Sequence, residues 1–129
     1  MPKALKIAYL GPAGTFTEQA ARQLGADSEL LPVASVTDAM DAVISGKADR
    51  AVVPIENSIE GGVSATSDAL AVMSGVQIFG EYIVPVRFDL LVKPGKKLSD
   101  IKDVLTHPVA YAQSRKWLEQ NLSSHTHIP

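Results

Sequence analysis

Cysteine is absent from the 129 residues. Disulfides, thiolate nucleophiles and cysteine-based metal sites are therefore excluded. Excess charge is scarce as well, with 12 Lys and Arg against 14 Asp and Glu, a formal net charge of −2. Bulk electrostatics draws such a chain neither to nucleic acid nor to an anionic membrane. No apolar run approaches the roughly 18–20 residues of a membrane-spanning helix. The first ten residues, MPKALKIAYL, lack the form of a secretion signal, so a cytoplasmic location is expected. Nucleotide fingerprints are missing too. Gly11 to Thr15 is not followed by Gly-Lys-Ser/Thr, and no GxGxxG occurs.

What remains is an ordinary globular composition, 46% hydrophobic and 20% charged, in a chain long enough to bury a core. That length suits one domain or two small lobes. Leu5 to Leu10 reads as a strand, broken at Gly11-Pro12-Ala13-Gly14. Thr15 then stands three residues before Glu18, a capping-box spacing. Phe16, Ala20, Ala21 and Leu24 form a helical stripe that ends at Gly25. Glu29 to Ala34 is a second strand. Ser35 and Asp38 repeat the cap spacing ahead of a helix with Val36, Ala39, Met40, Val43 and Ile44 on one face. Arg50 to Ile55 is a third strand, and Val63 to Met73 a third helix stopped by Ser74-Gly75. Three strand–helix units in succession predict a parallel α/β sheet.

The pattern then changes. Val76 to Val92 is β-rich and too long for one strand in a small lobe. It reads as two strands with a crossover between lobes near Pro85. A turn at 93–97, a short helix at 98–102 and a strand at 104–106 follow. His107-Pro108 starts a helix running to about Leu122, with proline at a favoured first position. The tail SSHTHIP (123–129) is expected to close nothing. The second lobe should then be incomplete, with exposed edges and a tendency to self-associate.

Three strand-to-helix turns carry the candidate chemistry: GPAGTF (11–16), IENSIEGG (55–62) and THP (106–108). Ligands of open α/β sheets bind beyond the carboxyl ends of the strands. These turns hold hydroxyl, amide and glycine residues and no Lys or Arg. Helix N-termini suit anions, so two such turns facing one cleft would take a ligand with two anionic groups. Each feature also has a plainer reading. Gly14-Thr15 serves as turn and cap, and Asn57 and Ser58 satisfy loop backbone. Glu56 is either a general acid or base or a tie within its own loop. His107 reads as an N-cap or a packed residue rather than a base, Glu18 and Asp38 as capping residues, and Gln113 as either a surface amide or a cleft-facing one. His125 and His127 form an H-x-H without a nearby third metal ligand.

YLGPAGTFTEQAA (9–21), VPIENSIEGGV (53–63) and LTHPVAYAQSRKWL (105–118) resemble three successive signatures of prephenate dehydratase, in the family's order and at about its spacing. The resemblance covers essentially the whole chain. It implies a two-lobed α/β fold of periplasmic-binding-protein type II. Residues 1–84 would be a nearly complete first lobe and 85–129 a truncated second one. It implies prephenate as substrate, phenylpyruvate as product, no cofactor and no metal. Thr15, Asn57 and Gln113 fall at positions the family assigns to catalysis. These three, with Ser58, Gly61, Gly62 and Thr106, line the implied substrate pocket, with Gly14 beside them. The family continues with a Ser-Thr-Ala turn, an Asn-x-Thr-Arg-Phe motif whose Thr is held to be catalytic, and an ACT domain. None of these occurs here, so weak or no activity is expected of these 129 residues, as is the absence of phenylalanine feedback. An arogenate-preferring dehydratase and a non-catalytic module binding small dicarboxylates are the alternatives.

Overall fold

A computed structural model describes residues 3–129; Met1 and Pro2, at the start of the expected first lobe, lie outside the described residues. The chain divides into two compact units, Met1–Pro85 and Val86–Pro129. Both mix helices and strands, as the sequence pattern requires.

The first unit is built on a three-stranded parallel sheet of β1 (Lys6–Leu10), β2 (Glu29–Val33) and β3 (Arg50–Val52), in the order β2-β1-β3. Strand β1 is central, so both its faces are covered. Ile7 and Tyr9 point to one face and meet Ala21 of α1 (Phe16–Arg22). Ala8 points to the other and packs with Ala39 and Ala42 of α2 (Val36–Ile44) and with Ala48. A third cluster joins Val36 and Met40 to Ala69 of α3 (Ser64–Val72). The period of two along β1 thus places α1 on one side of the sheet and α2 on the other. Ile7 is fully buried, which stabilises the fold by about 1.5–3 kcal/mol.

Local signals set the helix starts. The Ser35 hydroxyl accepts the Asp38 N–H at 3.0 Å, and the Thr15 hydroxyl accepts the Glu18 N–H at 3.4 Å. Each satisfies one of the N–H groups left open at a helix start.

Strand β3 is shorter than expected, ending at Val52 rather than Ile55. Pro54 has no N–H to give to a ladder, which stops the pairing there. The turn after it is more structured than a simple connection. It holds a small antiparallel hairpin of β4 (Glu56–Asn57) and β5 (Gly61–Gly62), pairing Glu56 with Gly62 and Asn57 with Gly61. The two strands expected between Val76 and Val92 are not formed. Strands exist by pairing, and no described strand lies beside this run. Most of its apolar side chains stay outside, with Ile83 83% and Leu91 88% exposed, while Val76 packs on the Val36, Met40 and Ala69 cluster. Two further contacts hold its first half to its own unit. Gln23 Nε2 donates to the Ile83 carbonyl at 3.3 Å, and the Arg50 guanidinium lies 4.1 Å from the Phe79 ring centroid.

The second unit is a βαβ element preceded by a 3-10 turn at Leu98–Asp100. Strand β6 (Asp103–Leu105) leads through α4 (Pro108–Asn121) into β7 (Thr126–Ile128). The two strands pair in parallel, Val104 opposite His127 and Leu105 opposite Ile128. The tail 123–129 therefore does close something. A helical crossover is what a parallel pair requires, and α4 returns the chain so that Thr126–Ile128 meets β6. Val104, Leu118 and Leu122 form the core of this unit, flanked by Ile101 and Tyr111. His107 caps α4, its Nδ1 accepting the Val109 N–H at 3.2 Å.

Candidate functional site

Topology selects one edge of the first unit. From β1 the chain moves to β2 on one side, then crosses to β3 on the other. The loops leaving the carboxyl ends of β1 and β3 therefore diverge, and the crevice between such ends is where open α/β sheets bind ligands. The loops concerned are 11–15 and 53–63, the two turns singled out in the sequence.

In the first loop Glu18 takes a role beyond capping. It sits on α1, is mostly buried, and gathers three donors. The Gly14 N–H reaches its Oε2 at 2.5 Å and the Tyr9 hydroxyl the same oxygen at 3.4 Å. The Arg22 guanidinium closes on Oε1, its Nε at 3.0 Å. The Gly14 N–H, together with Arg22, holds this carboxyl below the usual carboxylate range, against the opposing effect of burial. Burial and the adjacent Glu18 charge push the Tyr9 phenol up. The Gly14 N–H is thus taken by the protein's own carboxylate and is not free for a ligand. Thr15 is likewise engaged, accepting from Glu18 N and making a long 3.5 Å contact to the Leu10 carbonyl.

The second loop is arranged differently. Asn57 Oδ1 accepts the Ile59 N–H at 2.9 Å and the Glu60 N–H at 3.4 Å. Two backbone donors on one atom identify it as the oxygen, and the Nδ2 hydrogens have no partner among the described residues. Gly61 adopts φ +85°, a left-handed value that glycine takes without strain. A Cβ built on Gly62 would meet nothing within 4 Å, so a ligand can approach its backbone. Ser58 and Glu56 are exposed, and neither side chain is paired among the described residues. Two bonds pin the loop from below. The buried Thr66 hydroxyl donates to the Pro54 carbonyl at 2.5 Å, and Val63 N–H donates to the Ile55 carbonyl at 2.9 Å.

Thr106 and Gln113 belong to the second unit. Thr106 is half-buried at the carboxyl end of β6, the edge at which a βαβ element presents its loop. Gln113 is half-buried on α4, and its amide has no described protein partner. The first-unit residues Thr15, Asn57, Ser58, Gly61 and Gly62 are brought to one sheet edge. Thr106 stands at the carboxyl end of β6, whereas Gln113 lies well inside α4.

Sequence reasoning passed over Thr66 and gave Glu18 only a cap. The spacing of Glu18 from Thr15 was a legible signal. Its alliance with Tyr9, nine residues earlier, was not.

Fold and site together define a parallel α/β protein whose strands end in amide-, hydroxyl- and glycine-bearing turns without Lys or Arg. Residues 7–129 match the family model of prephenate dehydratase, and the chain belongs to the prephenate dehydratase family. The prephenate dehydratase of Amycolatopsis methanolica is 49% identical over 118 residues, covering 91% of this chain and 38% of that protein. The crystal structure of prephenate dehydratase from Arthrobacter aurescens in complex with L-Phe superposes with a TM-score of 0.84. It is 45% identical and covers 97% of this chain and 42% of that one. A structure described as a quorum-quenching acylase, GqqA, matches at 32% identity and a TM-score of 0.74, over 95% of this chain and 44% of that one. The chain thus spans about two fifths of the length of the relatives it matches.

Proposed function

We propose that the protein carrying this chain is a prephenate dehydratase of phenylalanine biosynthesis, a carbon–oxygen lyase that needs no cofactor or metal. Prephenate and one proton give phenylpyruvate, carbon dioxide and water. The ring carboxylate leaves as carbon dioxide, its bonding electrons aromatise the ring, and the ring hydroxyl departs with the proton. The family-model match over residues 7–129 and the 49% identity to a prephenate dehydratase support this reading.

The observation that carries it is the orientation of Asn57. Its oxygen is committed to the loop, so the end left for a ligand is a pure hydrogen-bond donor. A donor suits a carboxylate. A neutral donor binds it without the strong ground-state attraction of a Lys or Arg, just where charge must disperse in the transition state. In the same reading Ser58, Gly61 and Gly62 border the substrate beside Asn57. Thr15 supports the neighbouring turn, and Thr106 and Gln113 are read as substrate-binding positions as well. Met1–Pro85 and Val86–Pro129 then correspond to the first lobe and part of the second lobe of a type II periplasmic-binding-like fold, in a cytoplasmic homo-oligomer. The exposed apolar run around Ile78, Phe79, Ile83 and Leu91 supports self-association. A strictly monomeric mass by light scattering would count against that last point.

Asn57→Asp tests the reading cleanly. An aspartate oxygen can still accept the Ile59 and Glu60 N–H groups, so the loop survives. The donor is replaced by a second anionic oxygen facing the substrate. Prephenate titrated into this chain should perturb the amide signals of residues 56–63, and the response should vanish in Asn57→Asp with the thermal midpoint preserved. An unchanged response would overturn the reading.

A further inference from the structure

Thr106 is held from both sides by β7. Its N–H donates to the Ile128 carbonyl at 3.1 Å, and its own carbonyl accepts from Nε2 of the His127 ring at 2.8 Å. A carbonyl can only accept, so His127 carries its proton on Nε2. The ring is fixed in turn by Tyr111 of α4. The two rings are parallel to within 1°, with centroids 3.9 Å apart. Tyr111 is itself anchored at the far end of its ring. Its hydroxyl lies 3.0 Å from His125 Nε2, and His125 Nδ1 lies 2.5 Å from the Leu122 carbonyl. The second contact puts the His125 proton on Nδ1, which leaves Nε2 to accept from the Tyr111 hydroxyl. The register explains why these groups meet. His127 pairs with the buried Val104, so its side chain points to the α4 side of the β6–β7 pair, where Tyr111 lies one turn into the helix.

We propose that His127 is a positioning residue for Thr106, with Tyr111 and His125 as the brace that keeps its ring in place. The H-x-H at 125–127 thereby has a use in which three of its four ring nitrogens are spent inside the protein, and metal binding is not that use. The functional part of this inference rests on the reading above that Thr106 borders the substrate. The brace itself does not.

Two variants of this chain separate the roles. His127→Phe keeps a ring to stack on Tyr111 and removes the donor. His127→Gln supplies an amide N–H at the reach of Nε2. Long-range ring spectra of the wild type should show protons on His127 Nε2 and His125 Nδ1. In His127→Phe the Thr106 carbonyl carbon signal should move, and prephenate affinity should fall about five- to tenfold at temperatures well below the thermal midpoint, where the variant remains folded. His127→Gln should restore both the signal and the affinity. A proton found on His127 Nδ1 instead of Nε2 would overturn the proposal, as would an unmoved Thr106 carbonyl signal in His127→Phe. An affinity loss that follows the thermal midpoint, without rescue by Gln, would reduce His127 to a stability role and also overturn it. If the wild type gives no prephenate response, the reading of the site falls by itself, and the Thr106 carbonyl signal still decides the brace.

Discussion

Glu18 and Gly14, four residues apart, are joined by a 2.5 Å hydrogen bond from the glycine N–H to the carboxylate. The glycine is the last residue before the cap of α1, and the carboxylate sits in the first turn of that helix. The loop at the end of β1 is thus folded back on its own helix by a charge, with Arg22 and Tyr9 completing the shell of that charge.

This arrangement predicts an acid-labile loop. Folding lowers the Glu18 pKa below its ordinary value of 4.5, so at acid pH the folded state binds fewer protons than the unfolded state. The contribution is fully present above that ordinary value and is lost as pH falls through the lower folded value. Thermal midpoints measured from neutral pH downward should decline in wild type. The decline should be shallower in Glu18→Gln, which has no proton to take up. Identical slopes would show that the carboxylate contributes nothing to acid stability.

Thr15 is a cap before it is anything else. Thr15→Ala should cost about 1 kcal/mol of stability, whereas Thr15→Ser retains the oxygen and should cost a few tenths. Urea unfolding of the three proteins measures the difference. Equal losses in both variants would assign the contribution to the methyl group rather than the hydroxyl.

Thr66 supports the Asn57 loop from within. It is 2% exposed, and its hydroxyl holds the Pro54 carbonyl. Thr66→Val keeps the shape and strands that carbonyl, so a loss of about 1–3 kcal/mol is expected. Prephenate affinity should fall with it if the loop is displaced. A variant as stable as wild type would mean that the carbonyl finds another donor.

The run from Val76 to Val92 should exchange its amide hydrogens quickly. It has no ladder partner among the described residues, whereas β1 is paired on both sides. Native-state exchange should protect Ile7 to Tyr9 most and residues 76–92 least. Protection of 76–92 that rises with protein concentration would reveal a partner strand from a second copy.

The alternation of β1, β2 and β3 with α1, α2 and α3 up to residue 75 was legible because it rests on short-range facts, whereas the β4–β5 hairpin was not. Apolar runs of strand length, a stripe of period 3.6, and an oxygen three residues ahead of an N–H are all local. The caps at Thr15, Ser35 and His107 were readable for the same reason, as were the three turns that collect the hydroxyls, amides and glycines. Local pattern could not give the pairing. Val76–Val92 has strand composition yet forms no strand, since a strand needs a neighbour supplied from elsewhere in the chain. Thr126–Ile128 has little pattern yet becomes one, since α4 carries it back beside β6. The β2-β1-β3 order, which selects one edge of the sheet for ligand, appears nowhere in the sequence of residues. The same holds for chemistry at the level of single atoms. The sequence by itself determined which residue types stand at the carboxyl ends of the strands. Only the tertiary structure decided that Glu18 takes the Gly14 N–H, that Asn57 spends its oxygen on the Ile59 and Glu60 N–H groups, and that His127 donates to the Thr106 carbonyl. Each depends on where a hydrogen bond's second partner lies, and distance along the chain does not fix that.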